Sequence, residues 1–492
     1  MDAKTKDGLN ARLDLEELGL RPELHPQLDD KGNKVLPDAP FTMSREQKEI
    51  LCSVVQNLRT PDSYVSKISR CVNVKECKLS GLKSHDCHVL IEEILPVALR
   101  SCYPSKDVMK IVVELAAFFK KLCSKVLDIS ELDKLQEQIV LTLCNMESVF
   151  LPSFFTIMVH LLVHLVEEAK FGGPVHYRWM YPMERLFVRL KALVRNRARP
   201  EGCIAEGHKA EECLTFCSRF LDGTTRFTRP SRNPDPSDKA KDMYLFESAS
   251  QPIGKAIIVY QFDNNLLIQV HRYILRHCDE LEEFRREFVE SMRNQHHQAD
   301  LTPSYIQEFI DKHFADWLEQ KVLHSDDSSI NESIRVLARK PNKCGVRYNG
   351  FVINGFRFHT RSRESKRLTQ NSGVVNISND GTNYYGRLTD IIELSYKGNY
   401  KVVLFKCDWY DVHHRSGIKH DEFGFTLVNF NRLIHTGDKI EHDPFVFSSQ
   451  VSQVFYVEDP KVEGWNVVVT VRPRDLFDMG AEPLVGNEDN AT

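Results

Sequence analysis

The sequence lacks several patterns that define common protein classes. No CxxC pair occurs among its 13 cysteines, and the cysteine spacings match no standard zinc module. The first ten residues, MDAKTKDGLN, are polar and contain no apolar core of the kind found in a secretory signal. These absences argue against a disulfide-stabilised secreted domain. We therefore expect reduced thiols in an intracellular compartment.

Signatures of nucleotide and serine hydrolases are also missing. The chain contains no GxxxxGKS/T loop and no GxSxG elbow. Its longest apolar run, Val149 to Val166, is interrupted by a proline, a serine and two histidines. This pattern predicts a buried helix, over about 152–170, and no membrane span.

The two histidines in that run, His160 and His164, are four residues apart and could in principle share one metal ion. They belong to no HExxH motif, because Leu161 follows His160. Their apolar surroundings favour core histidines. The string Ser84 to His88 is rich in potential ligands but fits no zinc module, so we predict no metal site.

Local charge is the strongest positive signal. The chain has 65 Lys plus Arg against 69 Asp plus Glu, a net charge of −4, which excludes a globally basic nucleic-acid binder. The segment Tyr177 to Pro200, which we call the basic segment, holds one acid, Glu184, among seven cations: Arg178, Arg185, Arg189, Lys191, Arg195, Arg197 and Arg199. Apolar residues at helical spacing predict a helix over 177–197 with one face in a core. The cations indicate a polyanion such as DNA; a solvated face balanced by acids elsewhere is the alternative.

The organisation along the chain predicts an α+β multidomain protein. An all-α domain (about 44–221) precedes a helical connector (251–343), and β-rich runs separated by Gly, Asn and Asp predict an antiparallel β-barrel-like domain (about 344–475). The remaining segments read as an irregular arm with one short helix (1–43), a linker (222–250), the end of the β-rich region (to 479) and a disordered acidic tail (480–492).

Two further side-chain groups are candidate sites. Glu184 would suit the third acid of a two-metal nuclease, but no strands carrying two earlier acids precede it. A carboxylate in the first turn of a helix is also explained by the helix dipole. In the β-rich region, most aromatic rings are expected to fill the core of the barrel. The alternative for Trp409 and Tyr410 is a position at the rim, where they could form an aromatic site for a cation or for bases.

Long strings of the sequence closely resemble the C-terminal region of plant CACTA transposon proteins of the En/Spm type. They include GLKSHDCHVLIEEILPVALR, the segment Leu151 to Leu221 with GGPVHYRWMYPMER, and YYGRLTDIIELSYKGNYKVVLFKCDWYDV. In that family these strings belong to two domains of unknown function that follow the transposase core. The resemblance implies a nuclear DDE-type transposase that uses Mg²⁺, with Glu184 as the match to the third acid. The first two acids would lie upstream of Met1.

We therefore expect a truncated transposase-like protein that binds DNA without cutting it and holds no cofactor of its own. An alternative is a protein-interaction or chromatin-reading module centred on the β-rich domain. A third hypothesis is an enzyme completed by Mg²⁺ and by an intact transposase chain, in which Glu184 would be catalytic.

Overall fold

A computed structural model describes residues 6–62, 64–65, 68–102, 105–220, 245, 251–296, 302–323, 330–378 and 381–473. The predicted linker 222–250, apart from Leu245, and the predicted tail 480–492 lie outside the described residues. Among the described helices, none combines the length and the apolar character that crossing a membrane requires.

The N-terminal part is helical, as predicted. Its main elements are α1 (Leu9–Glu17), α2 (Arg45–Gln56), α3 (Ser84–Val89), a π-helical turn (Leu90–Ile94), α4 (Leu95–Arg100), α5 (Lys106–Leu122) and α6 (Ile129–Val149). Two short hairpins accompany them: β1 (Gln27–Leu28) with β2 (Lys34–Val35), and β3 (Val72–Asn73) with β4 (Lys78–Leu79). Ser44 caps α2, since its hydroxyl accepts from the Gln47 N–H while the Gln47 side chain accepts from the Ser44 N–H.

The N-terminal arm packs against the helices that follow it. Leu15 and Leu24 are 1% and 2% exposed and share a cluster with Leu151. The buried Arg12 guanidinium pairs with Asp7 at 2.6 Å and donates to the Leu24 carbonyl. The ion pair therefore stabilises the arm itself, and the apolar cluster joins the arm to the helical part.

The prediction of one continuous buried helix over 152–170 is wrong. The structure divides this segment into a 3-10 turn (Pro152–Phe154), α7 (Ile157–His160), a second 3-10 turn (Leu161–Val163) and α8 (Leu165–Gly172). Only Val166 and Ala169 are fully buried within α7 and α8, and Phe171 is 90% exposed. Helix α6 ends at Val149, and Pro152 starts a new turn because its ring cannot continue the preceding helix.

The C-terminal part combines a large antiparallel sheet with helices. The strands are β5 (Gln251–Pro252), β6 (Ile257–Val259), β7 (Gly345–Tyr348), β8 (Gly350–Ile353), β9 (Phe356–His359), β10 (Gly373–Ile377), β11 (Asn383–Ser395), β12 (Lys401–Tyr410), β13 (Ile418–His420), β14 (Thr426–Asn429), β15 (Leu433–Ile434), β16 (Phe445–Phe447), β17 (Val451–Glu458) and β18 (Trp465–Thr470). The main sheet runs β13-β14-β18-β17-β10-β11-β12-β15, and β5, β8 and β9 form a separate sheet.

The sheet does not close into a barrel, so that part of the prediction is wrong. Its end strands, β13 and β15, do not pair with each other among the described residues. The cause lies in β11, which pairs with β12 on one side. On its other side β11 pairs first with β10 and then with β7, and its ladder with β12 has a bulge between Leu388 and Asp390, near this change of partner. A long bulged strand that changes partner divides the sheet into two arms.

Helices cover one face of this sheet. They are α11 (Asn264–His277), α12 (Glu282–His296), α13 (Pro303–Leu323) and α14 (Glu332–Ala338), while the short α15 (Arg361–Glu364) follows β9. Val270 and Ile274 of α11 share a core with Leu394 and Leu404 of the sheet, all fully buried. The helices of the predicted connector thus belong to the core of the β-rich part.

The N-terminal helices also contact the sheet directly. Val97 of α4 packs in a cluster with Leu427 and Phe455, and the Tyr64 ring meets the Phe455 ring at 5.2 Å. Arg100 of α4 forms ion pairs with Asp421 and Asp459 of the β-rich part. Apolar and ionic contacts therefore join the helical and β-rich regions.

Because His271 of α11 is buried, we predict that the protein loses stability in acid. Neither ring nitrogen has a hydrogen-bond partner among the described residues, and burial, with the nearby Lys340 charge, lowers its pKa to about 3. The unfolded chain binds a proton below pH about 6.5 while the folded chain does not. The free energy of unfolding should therefore fall as pH drops below that value, with His271 contributing up to about 1.4 kcal/mol per pH unit.

Urea denaturation between pH 7 and pH 5 tests this expectation. The His271→Gln variant should show a shallower pH dependence than the parent, because glutamine does not titrate. Equal slopes for the two proteins would contradict a buried neutral histidine.

Candidate nucleic-acid interface

The basic segment forms a turn, a helix, a second turn and the start of another helix. A 3-10 turn (Val175–Tyr177) leads to α9 (Tyr181–Ala192), and α10 (Pro200–Phe220) follows. Pro182 lies in the first turn of α9, where its missing N–H costs no helical hydrogen bond. The helix predicted over 177–197 is therefore shorter, and residues 193–199 connect the two helices.

The predicted DNA-binding cations are on the surface. The six whose side chains the structure describes are all exposed: Arg178, Arg189, Lys191, Arg195, Arg197 and Arg199. Arg185 lies on α9, and its side chain is outside what the structure describes. Exposed cations of this kind are available to an external anion.

Two of these cations have partners within the chain. Arg178 donates to the Gly173 carbonyl at 3.2 Å, and Arg189 pairs with Glu211 of α10 at 2.5 Å. Four others make no ion pair with any described residue: Lys191, Arg195, Arg197 and Arg199. The alternative prediction, a basic face balanced by acids elsewhere, thus fits Arg189 but not these four cations.

The connection that carries three of the four cations is held by hydrogen bonds of Asn196. The Asn196 carbonyl accepts from the Arg199 N–H at 3.2 Å, and its side-chain oxygen accepts from the Ala198 N–H at 2.9 Å. Helix α10 begins directly after Arg199, so the positive end of its dipole adds to the cations. Glu201 is the acid in the first turn of α10 and offsets part of this charge.

The apolar residues of α9 do not enter a core, contrary to the prediction. Their side chains are roughly half exposed: Met183 48%, Leu186 42%, Phe187 58% and Val188 62%. No described residue of α9 or α10 belongs to any of the buried apolar clusters. Gly207 of α10 packs closely against Leu193 of the connection, where an added Cβ would lie 3.1 Å from the Leu193 Cβ.

Glu184 is exposed in the first turn of α9, where the helix dipole favours a carboxylate. Burial, together with the Glu184 carboxylate, raises the pKa of the neighbouring Tyr181. Among the described residues, Glu184 is in no group of three potential metal ligands. The structure thus places Glu184 beside the exposed cations but brings no second and third acid to it within the described chain.

For the aromatic pair, the structure shows core packing and not the alternative position at a rim. Trp409 and Tyr410 are 5% and 2% exposed. The indole Nε1 of Trp409 donates to the Pro444 carbonyl at 3.2 Å, and the Tyr410 ring stacks on Phe430 at 4.7 Å. Both rings have neighbours that cover them, so they provide no open face for a ligand.

The core position predicted for two histidines is wrong. His160 and His164 are exposed, and their Nε2 atoms lie 3.3 Å apart. Because the segment folds as short turns at the surface, the apolar neighbours in the sequence do not enclose them.

Two parts of the chain match known family models. Residues 122–234 match a model described as Domain of unknown function (DUF4218), and residues 392–468 match Domain of unknown function (DUF4216). The chain carries both domains. The DUF4218 part contains the whole basic segment, and the DUF4216 part contains Trp409 and Tyr410. No curated protein and no solved structure shows significant similarity to the chain.

Proposed function

We propose that this chain is a transposase-derived protein that binds DNA through the cations of the basic segment. The observation that carries the proposal is the group Lys191, Arg195, Arg197 and Arg199. These four exposed cations lie within nine residues and make no ion pair with the described chain. In a protein of net charge −4, this concentration forms a local positive surface. The resemblance to CACTA transposon proteins supports DNA as the polyanion and the nucleus as the compartment.

The contact would be made with phosphates. Guanidinium groups match phosphate oxygens with paired N–H donors, and three of the four cations are arginines. The N-terminus of α10 adds backbone N–H groups beside them. Tyr177, at the other end of the basic segment, is 65% exposed and is available to stack on an unpaired base. Binding of this type is strong at low salt and weakly dependent on sequence.

DNA cutting is not part of the proposed function of this chain alone. An in-line phosphoryl transfer with two metal ions needs several carboxylates around the ions. Glu184 supplies one, and further acids would have to come from another chain.

Neutralising the four cations should weaken DNA binding on the order of 100-fold at 50 mM salt. This factor is a lower limit, because four phosphate contacts at about 0.9 each give a slope of about 3.6, and raising the salt from 50 to 200 mM would by itself remove a factor of about 100. The variant is Lys191→Gln with Arg195→Gln, Arg197→Gln and Arg199→Gln. The measurement is fluorescence anisotropy with a labelled duplex.

A matched control removes the same charge elsewhere on the surface. It carries glutamine at four exposed lysines outside the basic segment: Lys31, Lys34, Lys48 and Lys75. The control should bind within a few-fold of the parent, because only the local surface is proposed to contact DNA. Equal losses in both variants would indicate a general charge effect and count against the proposed interface.

A further inference from the structure

Three potential metal ligands meet inside the N-terminal helical part. His88 lies on α3, Glu92 lies in the π-helical turn that follows, and Cys123 is the residue that ends α5. One ligand atom from each lies within 4.8 Å of the other two. The imidazole Nε2 of His88 is 3.2 Å from the Glu92 carboxylate oxygen Oε1. The fold thus brings a nitrogen, an oxygen and a sulfur ligand together, although Glu92 and Cys123 are 31 residues apart in the sequence.

The backbone at this point is unusual. Residues Leu90–Ile94 form a π-helical turn, and the Leu95 N–H bonds to the Leu90 carbonyl five residues earlier. Such turns are rare, and they occur frequently at functional sites because they change the direction of side chains within a helix. Glu92 lies within this turn, which continues directly from α3, the helix that contains His88.

Glu92 is buried with an unsatisfied atom. The residue is 8% exposed, and its Oε1 has no hydrogen-bond partner among the described residues. Leaving a buried carboxylate oxygen without a partner is unfavourable unless another group neutralises it. That oxygen is the atom that faces His88 Nε2. A cation between the two side chains would satisfy both atoms.

The surrounding charges are compatible with a divalent ion. The Lys120 ammonium forms an ion pair with the Glu93 carboxylate at 2.7 Å. The Arg472 guanidinium lies 3.9 Å from Oε2, the second oxygen of Glu92. The oxygen that faces the histidine, Oε1, is therefore not the one nearest to Arg472. A thiolate and a carboxylate would balance the two positive charges of the ion.

We infer that His88, Glu92 and Cys123 bind a divalent transition-metal ion of the zinc class. Imidazole, thiolate and carboxylate are the ligand types that zinc takes, whereas Mg²⁺ and Ca²⁺ prefer oxygen ligands alone. Three protein ligands leave a fourth position for water. The side chain of His88 is 21% exposed, so this ligand lies at the accessible edge of the cluster.

The site lies beside the start of the basic segment. The Trp179 ring meets the His88 ring edge-on at 5.6 Å, and the Tyr181 ring meets the His85 ring at 5.8 Å. Fixing His88 through a metal ion would also fix the surface against which Trp179 packs. The inference itself rests on the three ligands alone and does not depend on DNA binding.

Cobalt titration of the metal-free full chain tests the inference. Thiolate-bound Co²⁺ gives a charge-transfer absorption band, which reports directly on a cysteine ligand. We expect one equivalent of Co²⁺ to produce the band in the parent and Zn²⁺ to displace it. Cys123→Ser should abolish the band, and Glu92→Gln and His88→Gln should weaken Co²⁺ binding at least about tenfold.

The controls separate this site from other ligands and from unfolding. Cys144→Ser removes an exposed thiol of the same helical part, and His160→Gln with His164→Gln removes the exposed histidine pair. Both controls should keep the band. Circular dichroism of each metal-free variant identifies loss of fold. If Cys123→Ser does not fold, the partly exposed His88→Gln provides the decisive comparison. A parent that produces no band, or a band that survives in Cys123→Ser or at full strength in folded His88→Gln, would overturn the inference.

Discussion

Replacing Arg100 by methionine should lower the free energy of unfolding by about 3–5 kcal/mol, because it leaves two carboxylates without their cation in a protein interior. Arg100 donates to Asp459 at 2.8 Å and also pairs with Asp421. The side chains are 13%, 4% and 15% exposed for Arg100, Asp459 and Asp421. The measurement is urea denaturation of parent and variant, followed by circular dichroism.

An exposed ion pair between the same two regions provides the control. Lys106 of α5 pairs with Glu422 at 2.5 Å, but their side chains are 74% and 54% exposed. Exposed pairs contribute about 0–1 kcal/mol, so Lys106→Met should have little effect. A similar small loss for Arg100→Met would show that the contact between α4 and the β-rich part is weaker than its burial implies.

Phe405→Ala should also lower the free energy of unfolding, by about 3–5 kcal/mol. This residue of β12 is fully buried, and its ring meets Phe358 at 5.2 Å and Phe351 at 5.9 Å in edge-on contacts. Removing the ring leaves a cavity between the main sheet and the smaller β5-β8-β9 sheet, to which Phe351 and Phe358 belong. Thermal and urea denaturation both report the loss.

Phe171→Ala is the matched control for this prediction. The Phe171 ring is 90% exposed, so its removal should change stability by less than about 0.5 kcal/mol. If Phe405→Ala were as mild as Phe171→Ala, the two sheets would have to close around the missing ring without cost, and the packing described for this core would be incorrect.

The sequence predicted those features of the fold that depend on local pattern. The change from helical periodicity to short β-rich runs near Cys344 corresponds to the start of β7 at Gly345. The short strands β5 and β6, which pair with β8 and β7, lie in the connector that was predicted to be helical. The short helix expected within the arm appears as α1, and the all-α domain expected from about residue 44 begins with α2, which Ser44 caps. Periodicity and capping act over a few residues, so one sequence is enough to recognise them.

Features that depend on distant contacts were not predictable. The apolar stripe of α9 suggested a buried face, yet Leu186 and Phe187 remain largely exposed, because no other described element supplies a surface to cover them. The open sheet follows from the change of partner along β11, which no residue pattern within that strand specifies. The alternative of a rim position for Trp409 and Tyr410 depended on a closed barrel, which the described strands do not form.

In the candidate sites too, local features were predictable from the sequence and distant contacts were not. All seven cations of the basic segment were found from the sequence, because they lie in one short stretch. Their separation into paired and unpaired groups depends on Glu211, which α10 brings to Arg189. Glu92 and Cys123 were missed as partners of His88, since ligand spacing across two helices follows no recognised motif. The ligand-rich string around His88 was the one signal in the sequence for that cluster.

The salt dependence of DNA binding tests the central claim most directly. The logarithm of the binding constant for a duplex should fall linearly with the logarithm of salt concentration in the parent. The variant that lacks the Lys191, Arg195, Arg197 and Arg199 charges should show a slope shallower by about 3 to 4, at about 0.9 per phosphate contact. Parallel lines for the two proteins would contradict the account, because they would show that these four cations neutralise no phosphates.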